Sequence, residues 1–303
     1  MSGARKRQLG ELVFYYRRNA ERHGTKDLFV EGGGDKLLMD RYFSVRSVSE
    51  KFSRVAVYSM DSIDFSGTDF SAFELPAPSA RSCVIALRKI LSDSGASLKN
   101  LAFLIDRDIE DVRPTPHVKD ILLTDSGALP VHLFDNNAEE RICGLILDGR
   151  IDVSVFKRSV NSICRGVYTV RAASMVKQAP AKILSPKGFI RGNVAAGYDL
   201  DVRGYLERCL YAGNCHERYD EIYEAVGDVD SRLDALELRP FSFINDHDLY
   251  VTLKEIFDLA GDRANRSAKD IEGLILMTYD HSELERHSLF EGLDRWLSVS
   301  PSA

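Results

Sequence analysis

Three acidic side chains, Glu31, Asp106 and Asp108, stand where apolar runs end. Glu31 closes Asp27-Leu28-Phe29-Val30-Glu31 and is followed by Gly32-Gly33-Gly34, while Asp106 and Asp108 follow Leu101-Ala102-Phe103-Leu104-Ile105. Carboxylates are the hard oxygen donors that Mg²⁺ prefers, and a site that keeps water on the ion can activate that water against phosphorus. In an extended Asp106-Arg107-Asp108 the two aspartates would face one side, ~6–7 Å apart at their Cα atoms, with Arg107 pointing away. The three glycines allow a tight turn and leave space for a phosphate over the N-terminus of the next helix. Asp35 reads either as an outer metal ligand or as the cap of that helix. Asp125, in Thr124-Asp125, is the remaining candidate ligand. Asp61 and Asp64 lie among Ser, Gly and Thr, and read as a solvent turn.

The elements that must position these acids alternate in type. A strand at 27–31 runs through the glycine turn into a helix bearing Leu37, Leu38, Met39, Tyr42 and Phe43. A second strand is expected at 55–60, a helix bearing Val84, Ile85, Leu87 and Leu91 after Ala80, and a third strand at 101–105. Short edge strands are expected at 121–123 and 131–134. Such alternation predicts right-handed βαβ units and a mostly parallel sheet, and ligands gather at the carboxyl ends of such strands. Beyond about residue 140 the period becomes helical, with Val153, Phe156, Val160, Ile163 and Val167 on one face. Later helices are expected at 200–211, 215–226, 246–260, 268–278 and 282–297, with Ser267 and Asp270 forming a capping box. The fold class is therefore α/β: an N-terminal Rossmann-like parallel sheet with helices over 1–138, followed by a mainly helical domain over 139–303.

With 303 residues, 44% of them hydrophobic, the chain is long enough for two cores. No apolar run approaches the ~18 residues of a bilayer span, and no apolar block follows the basic N-terminus, so a cytoplasmic protein without membrane contact is expected. The five cysteines, Cys83, Cys143, Cys164, Cys209 and Cys215, form no CxxC pair and read as reduced thiols. Net charge is −6, which by itself counts against a nucleic-acid partner. Its distribution counts for one: over 153–191 the chain carries Lys157, Arg158, Arg165, Arg171, Lys177, Lys182, Lys187 and Arg191 and no acid. That segment reads as a nucleic-acid-binding surface in preference to a solvated helix face. His117, His132 and His247 read as capping or packing residues.

Phe29-Val30-Glu31-Gly32-Gly33-Gly34-Asp35 together with Phe103-Leu104-Ile105-Asp106-Arg107-Asp108 resembles the Glu-Gly and Asp-x-Asp motifs of Toprim domains, which occur in topoisomerases, primases and OLD-family nucleases. Phe243-Ile244-Asn245-Asp246-His247-Asp248-Leu249, with the chain's size and helical second half, is similar to the small Toprim-like effector nucleases of PARIS-type anti-phage defence. The resemblance implies a nuclease dependent on Mg²⁺, for which Mn²⁺ can substitute, with Glu31, Asp106 and Asp108 catalytic and metal-binding. It further implies a toxic effector that cleaves RNA such as host tRNA, under control of a separate ABC-type ATPase subunit, and a homodimer when active. The chain departs from the pattern after Thr124-Asp125, where Ser126-Gly127-Ala128 stands in place of an acid with aromatics, so the last ligand stays open. A topoisomerase- or primase-type enzyme lacks its tyrosine or zinc module here. A non-catalytic regulatory or binding subunit of an ATPase complex is the alternative from another class. No GxxxxGK[ST] occurs, so ATP control would come from another chain.

Overall fold

The computed structural model describes residues 6–18, 25–46, 54–75, 78–108, 110–112, 114, 120–134, 136–235, 243–262, 264, 266–278 and 284–298. His117 and the start of the helix expected at 282 lie outside them. The chain divides into two compact units: Met1–Asp106 with Thr115–Asp125 and Leu284–Ala303, and Arg107–Pro114 with Ser126–Glu283. Where the sequence suggested one boundary near 138, the first unit recovers the C-terminal helix.

The first unit runs β1 (Arg7–Gln8), α1 (Leu9–Arg18), β2 (Thr25–Val30), α2 (Gly33–Arg46), β3 (Arg54–Ser59), β4 (Ile63–Asp64), α3 (Ala80–Asp93), β5 (Leu101–Ile105), β6 (Leu122–Leu123) and the C-terminal helix Ser288–Ser298. Its main sheet has the order β3-β2-β5-β6 and is parallel throughout; β1 and β4 form a separate parallel pair. Val30 pairs with Ser59, Phe29 with Phe103, and Ile105 with Leu123, so the four strands end almost level. Alternate residues of a strand face opposite sides. One side, with Phe29, Phe103 and Ile105, packs on Leu12 of α1 and on Val84, Ile85, Leu87 and Leu91 of α3. On that side Phe29 stacks between Tyr58 and Phe103, at centroid distances of 5.5 and 5.3 Å.

The C-terminal helix belongs here because its buried face, Leu289, Phe290 and Leu293, needs cover that α2 and β6 supply. Phe290 meets Tyr42 at 4.7 Å between centroids, and Gly292 lies against Leu122. Both ends of the helix are capped in keeping with its dipole. Asp125 accepts from the Leu289 N–H at 3.0 Å and from the Ser288 hydroxyl. At the other end the buried Lys26 ammonium donates to the carbonyls of Trp296 and, at 3.0 Å, Leu297.

The second unit contains α4 (Asn136–Leu145), α5 (Val153–Val176), the hairpin β7–β8 (Ile190–Asn193, Gly197–Leu200), α6 (Val202–Ala212), α7 (Tyr219–Ala235), α8 (Asp246–Leu259) and α9 (Ala268–Thr278). The helix α5 is its axis. Asp152 caps it, and Phe156, Val160, Ile163 and Val167 are buried as their spacing predicts, with Phe156 between Phe134 and Phe257. The expected capping box is present: the Ser267 N–H reaches the Asp270 carboxylate at 2.8 Å and the Asp270 N–H reaches the Ser267 hydroxyl at 3.2 Å. The strand expected at 131–134 is instead part of a 3-10 turn, Leu129–Leu133. Pro130 starts that turn with its φ already fixed and no N–H to give to a ladder.

Candidate acidic site at the carboxyl edge of the sheet

In the order β3-β2-β5-β6 the chain leaves β2 to one side for β3 and then crosses back to β5 on the other. The crevice between β2 and β5 is thus a topological switch point, where parallel sheets leave room for ligands. Glu31 and Asp106 are the first residues beyond those two strands. They are joined: Glu31 Oε1 accepts the Asp106 N–H at 2.9 Å. Arg81, in the first turn of α3, donates to the Asp106 carbonyl oxygen, and its Nη1 stands 4.0 Å from Glu31 Oε1. The peptide groups on either side of the Asp106 Cα are thus both gripped, the N–H by Glu31 and the C=O by Arg81.

The neighbouring strand ends add two more acids. Asp61, after β3, accepts from the Ser59 hydroxyl, and a methyl group placed on Gly33 would lie 3.8 Å from Asp61 Oδ2. Asp61 therefore belongs to the edge of the site, where the sequence suggested only a solvent turn. Asp125, after β6, is engaged by the first turn of the C-terminal helix, and His287 Nδ1 stands 4.0 Å from its Oδ2. This acid–imidazole pair could help to hold a metal ion. Asp35 takes the capping role: its carboxylate accepts the Gly32 N–H at 2.9 Å, as the third residue of a helix does in a capping box.

Gly33 and Gly34 are exposed and open α2. Neither has a positive φ, and an added Cβ would meet nothing within 4 Å at Gly34 and only Asp61 at Gly33. The backbone does not require glycine at either position. Their lack of side chains does keep the α2 N-terminal amides open to solvent.

Asp108 is carried by the second unit. The strand ends at Ile105 and Asp108 has φ 42°, so the period-two alternation expected for Asp106-Arg107-Asp108 does not hold there. In its own unit Asp108 is held at both backbone groups: its N–H donates to the Gly127 carbonyl at 2.9 Å, and Tyr168 Oη–H donates to its carbonyl at 3.3 Å. Gly127 in turn sits so close to Ile244 that a Cβ would come within 2.3 Å of the Ile244 oxygen. Phe243 to Leu249 thus supports the Asp108 loop.

The basic segment is only partly available. Lys157 pairs with the buried Glu139 at 3.2 Å, Arg165 with Asp230 and Asp234 at 2.5 and 2.7 Å, and Arg171 with Asp248 at 2.7 Å. Arg158, Lys182, Lys187 and Arg191 are exposed, and Lys177 is half-buried. His247 sits in the first turn of α8, where its N–H donates to the Asn245 side chain and the Asp248 carboxylate, 3.7 Å from its ring nitrogen, raises its pKa above the usual histidine value. His132 is buried, with Nδ1 near the Ser126 hydroxyl and the Leu129 carbonyl. No described helix is long and apolar enough to cross a membrane. No protein-family model matches the chain, and no curated protein matches it.

Proposed function

We propose that this chain is a metal-dependent nuclease with a Toprim-like first domain, in which Glu31 and Asp106 hold a divalent cation against a nucleic-acid phosphate. The supporting observation is the Glu31–Asp106 junction at the switch point of the parallel sheet. Glu31, Asp61 and Asp106 offer only carboxylate oxygens, the donor set that fits Mg²⁺ or Mn²⁺. A bound cation supplies Lewis acidity and an activated water. The chain's own contribution is alignment. Glu31 keeps its carboxylate fixed on the β5 end, and the open amides at Gly33 and Gly34 bind phosphate oxygens at a helix N-terminus. Asp108 joins the ligand set on the motif resemblance alone.

RNA, host tRNA in particular, is the substrate class that this resemblance favours, with an ABC-type ATPase as controlling partner, a homodimer as the active form and anti-phage defence in the cytoplasm as the setting. The exposed cations Arg158, Lys182, Lys187 and Arg191 would hold the strand without reading sequence. Lys182→Glu with Lys187→Glu is expected to weaken binding to unrelated RNAs alike and to reduce the salt slope by about 1 for each phosphate no longer neutralised. An unchanged slope would place the strand elsewhere.

The deciding experiment incubates the purified chain with Mg²⁺ or Mn²⁺ and mixed RNA and DNA. Cleavage abolished in Glu31→Gln supports the nuclease. Binding without cleavage favours a non-catalytic regulatory subunit, a reading supported by the engagement of Asp35 and Asp125 in helix capping. The glycines give a second test. Gly33→Ala and Gly34→Ala should each stabilise the fold by roughly 0.5–1 kcal/mol, because alanine favours the helix and fits the space. Both should nevertheless lower cleavage by crowding the phosphate. Higher stability with undiminished activity would remove the phosphate from this turn.

A further inference from the structure

We propose that Arg81 is a positioning residue that serves as the protein's own counter-cation for the Glu31/Asp106 pair, held in place until a divalent ion arrives; this rests on the metal-dependent reading above. Arg81 is the second residue of α3, whose start is capped by Ser79. A cation in the first turn of a helix opposes the dipole, so the helix itself gains nothing from it. The Arg81 side chain is also only 16% exposed and Glu31 only 18%. A guanidinium withdrawn from water in this way needs compensating acceptors. Its acceptors are at the switch point: the Asp106 carbonyl oxygen takes a hydrogen bond from Nη1, and Glu31 Oε1 lies 4.0 Å from the same nitrogen. Since Glu31 also accepts the Asp106 N–H, the three residues form a clamp that fixes the Asp106 backbone against the Glu31 carboxylate.

Two opposite consequences follow from one charge. Its field repels an incoming divalent ion, and its hydrogen bond aligns the acids that must use that ion. Arg81→Gln removes the charge while keeping a donor, so it should tighten Mn²⁺ binding about three- to tenfold, the scale of one nearby charge in a partly solvated site. It should at the same time lower kcat with KM little changed. Arg81→Lys keeps the charge but not the planar fork. It should leave Mn²⁺ affinity within about twofold of wild type and still lower kcat.

The test is a calorimetric Mn²⁺ titration of the full chain without substrate, for wild type and both variants, beside thermal melts. Tighter binding by a folded Arg81→Gln is the expected result, whereas equal or weaker binding overturns the proposal. If that variant does not fold, Arg81→Lys decides: retained affinity with reduced kcat supports the role, and unchanged kcat overturns it. A wild-type chain that binds no Mn²⁺ sinks the nuclease reading together with this one. Wild-type binding that Arg81→Gln fails to tighten removes only Arg81.

Discussion

Asp106→Asn and Glu31→Gln are each expected to cut Mg²⁺-dependent cleavage on the order of 10³-fold while the chain stays folded. The structure explains why folding should survive. Glu31 and Arg81 grip residue 106 through its backbone N–H and carbonyl, both of which remain in Asp106→Asn. That variant removes one negative charge from an acidic site while keeping both backbone grips, so the melting temperature of the metal-free protein should be equal or higher. Glu31→Gln keeps an acceptor for the Asp106 N–H but loses the charge facing Arg81, and should cost up to about 1 kcal/mol. In both variants added Mn²⁺ should stabilise the fold less than in wild type, because binding to the native state alone raises its stability through mass action. Cleavage assays and melts with and without metal measure all of this. Full metal-dependent cleavage by Asp106→Asn would end the Toprim reading of this chain.

Lys157→Met is expected to destabilise the second unit by about 2–3 kcal/mol, below the ~3–5 kcal/mol for breaking a fully buried pair because Lys157 is itself a third exposed. Its partner Glu139 on α4 is only 1% exposed, so removing the ammonium leaves a carboxylate that water barely reaches. The double variant Lys157→Met with Glu139→Met should recover most of the loss, since two apolar chains of similar volume need no desolvated charge. Denaturant melts of wild type, both single variants and the double give the coupling directly. A Lys157→Met variant within about 0.5 kcal/mol of wild type would return Lys157 to the surface cations. The result also guards the nucleic-acid test: weaker RNA binding by a Lys157 variant would report unfolding, whereas Lys182 and Lys187 are exposed and separate the two effects.

The sequence by itself determined the strand–glycine–helix entry at Glu31, the strand Leu101–Ile105, the buried face of α5 and the Ser267/Asp270 box, because each depends on residues within a few positions of one another. Glu31 and Asp106 were legible as carboxyl-end acids for the same reason, and level parallel strands then brought them together. Only the tertiary structure decided what each charge faces. Asp125 and Lys26 cap the C-terminal helix, Lys157 pairs with Glu139, Arg165 with Asp230, and Arg171 with Asp248, and most of these partners lie far apart in the chain. An acid-free window in the sequence says nothing about acids that other helices fold against it. The role of Arg81 was hidden for the same reason, although a cation in the first turn of a helix is a local signal that something outside the helix must compensate it. The positive φ of Asp108 had no such signal: the Gly127 carbonyl that meets its N–H is supplied by a loop that takes its place only in the folded unit.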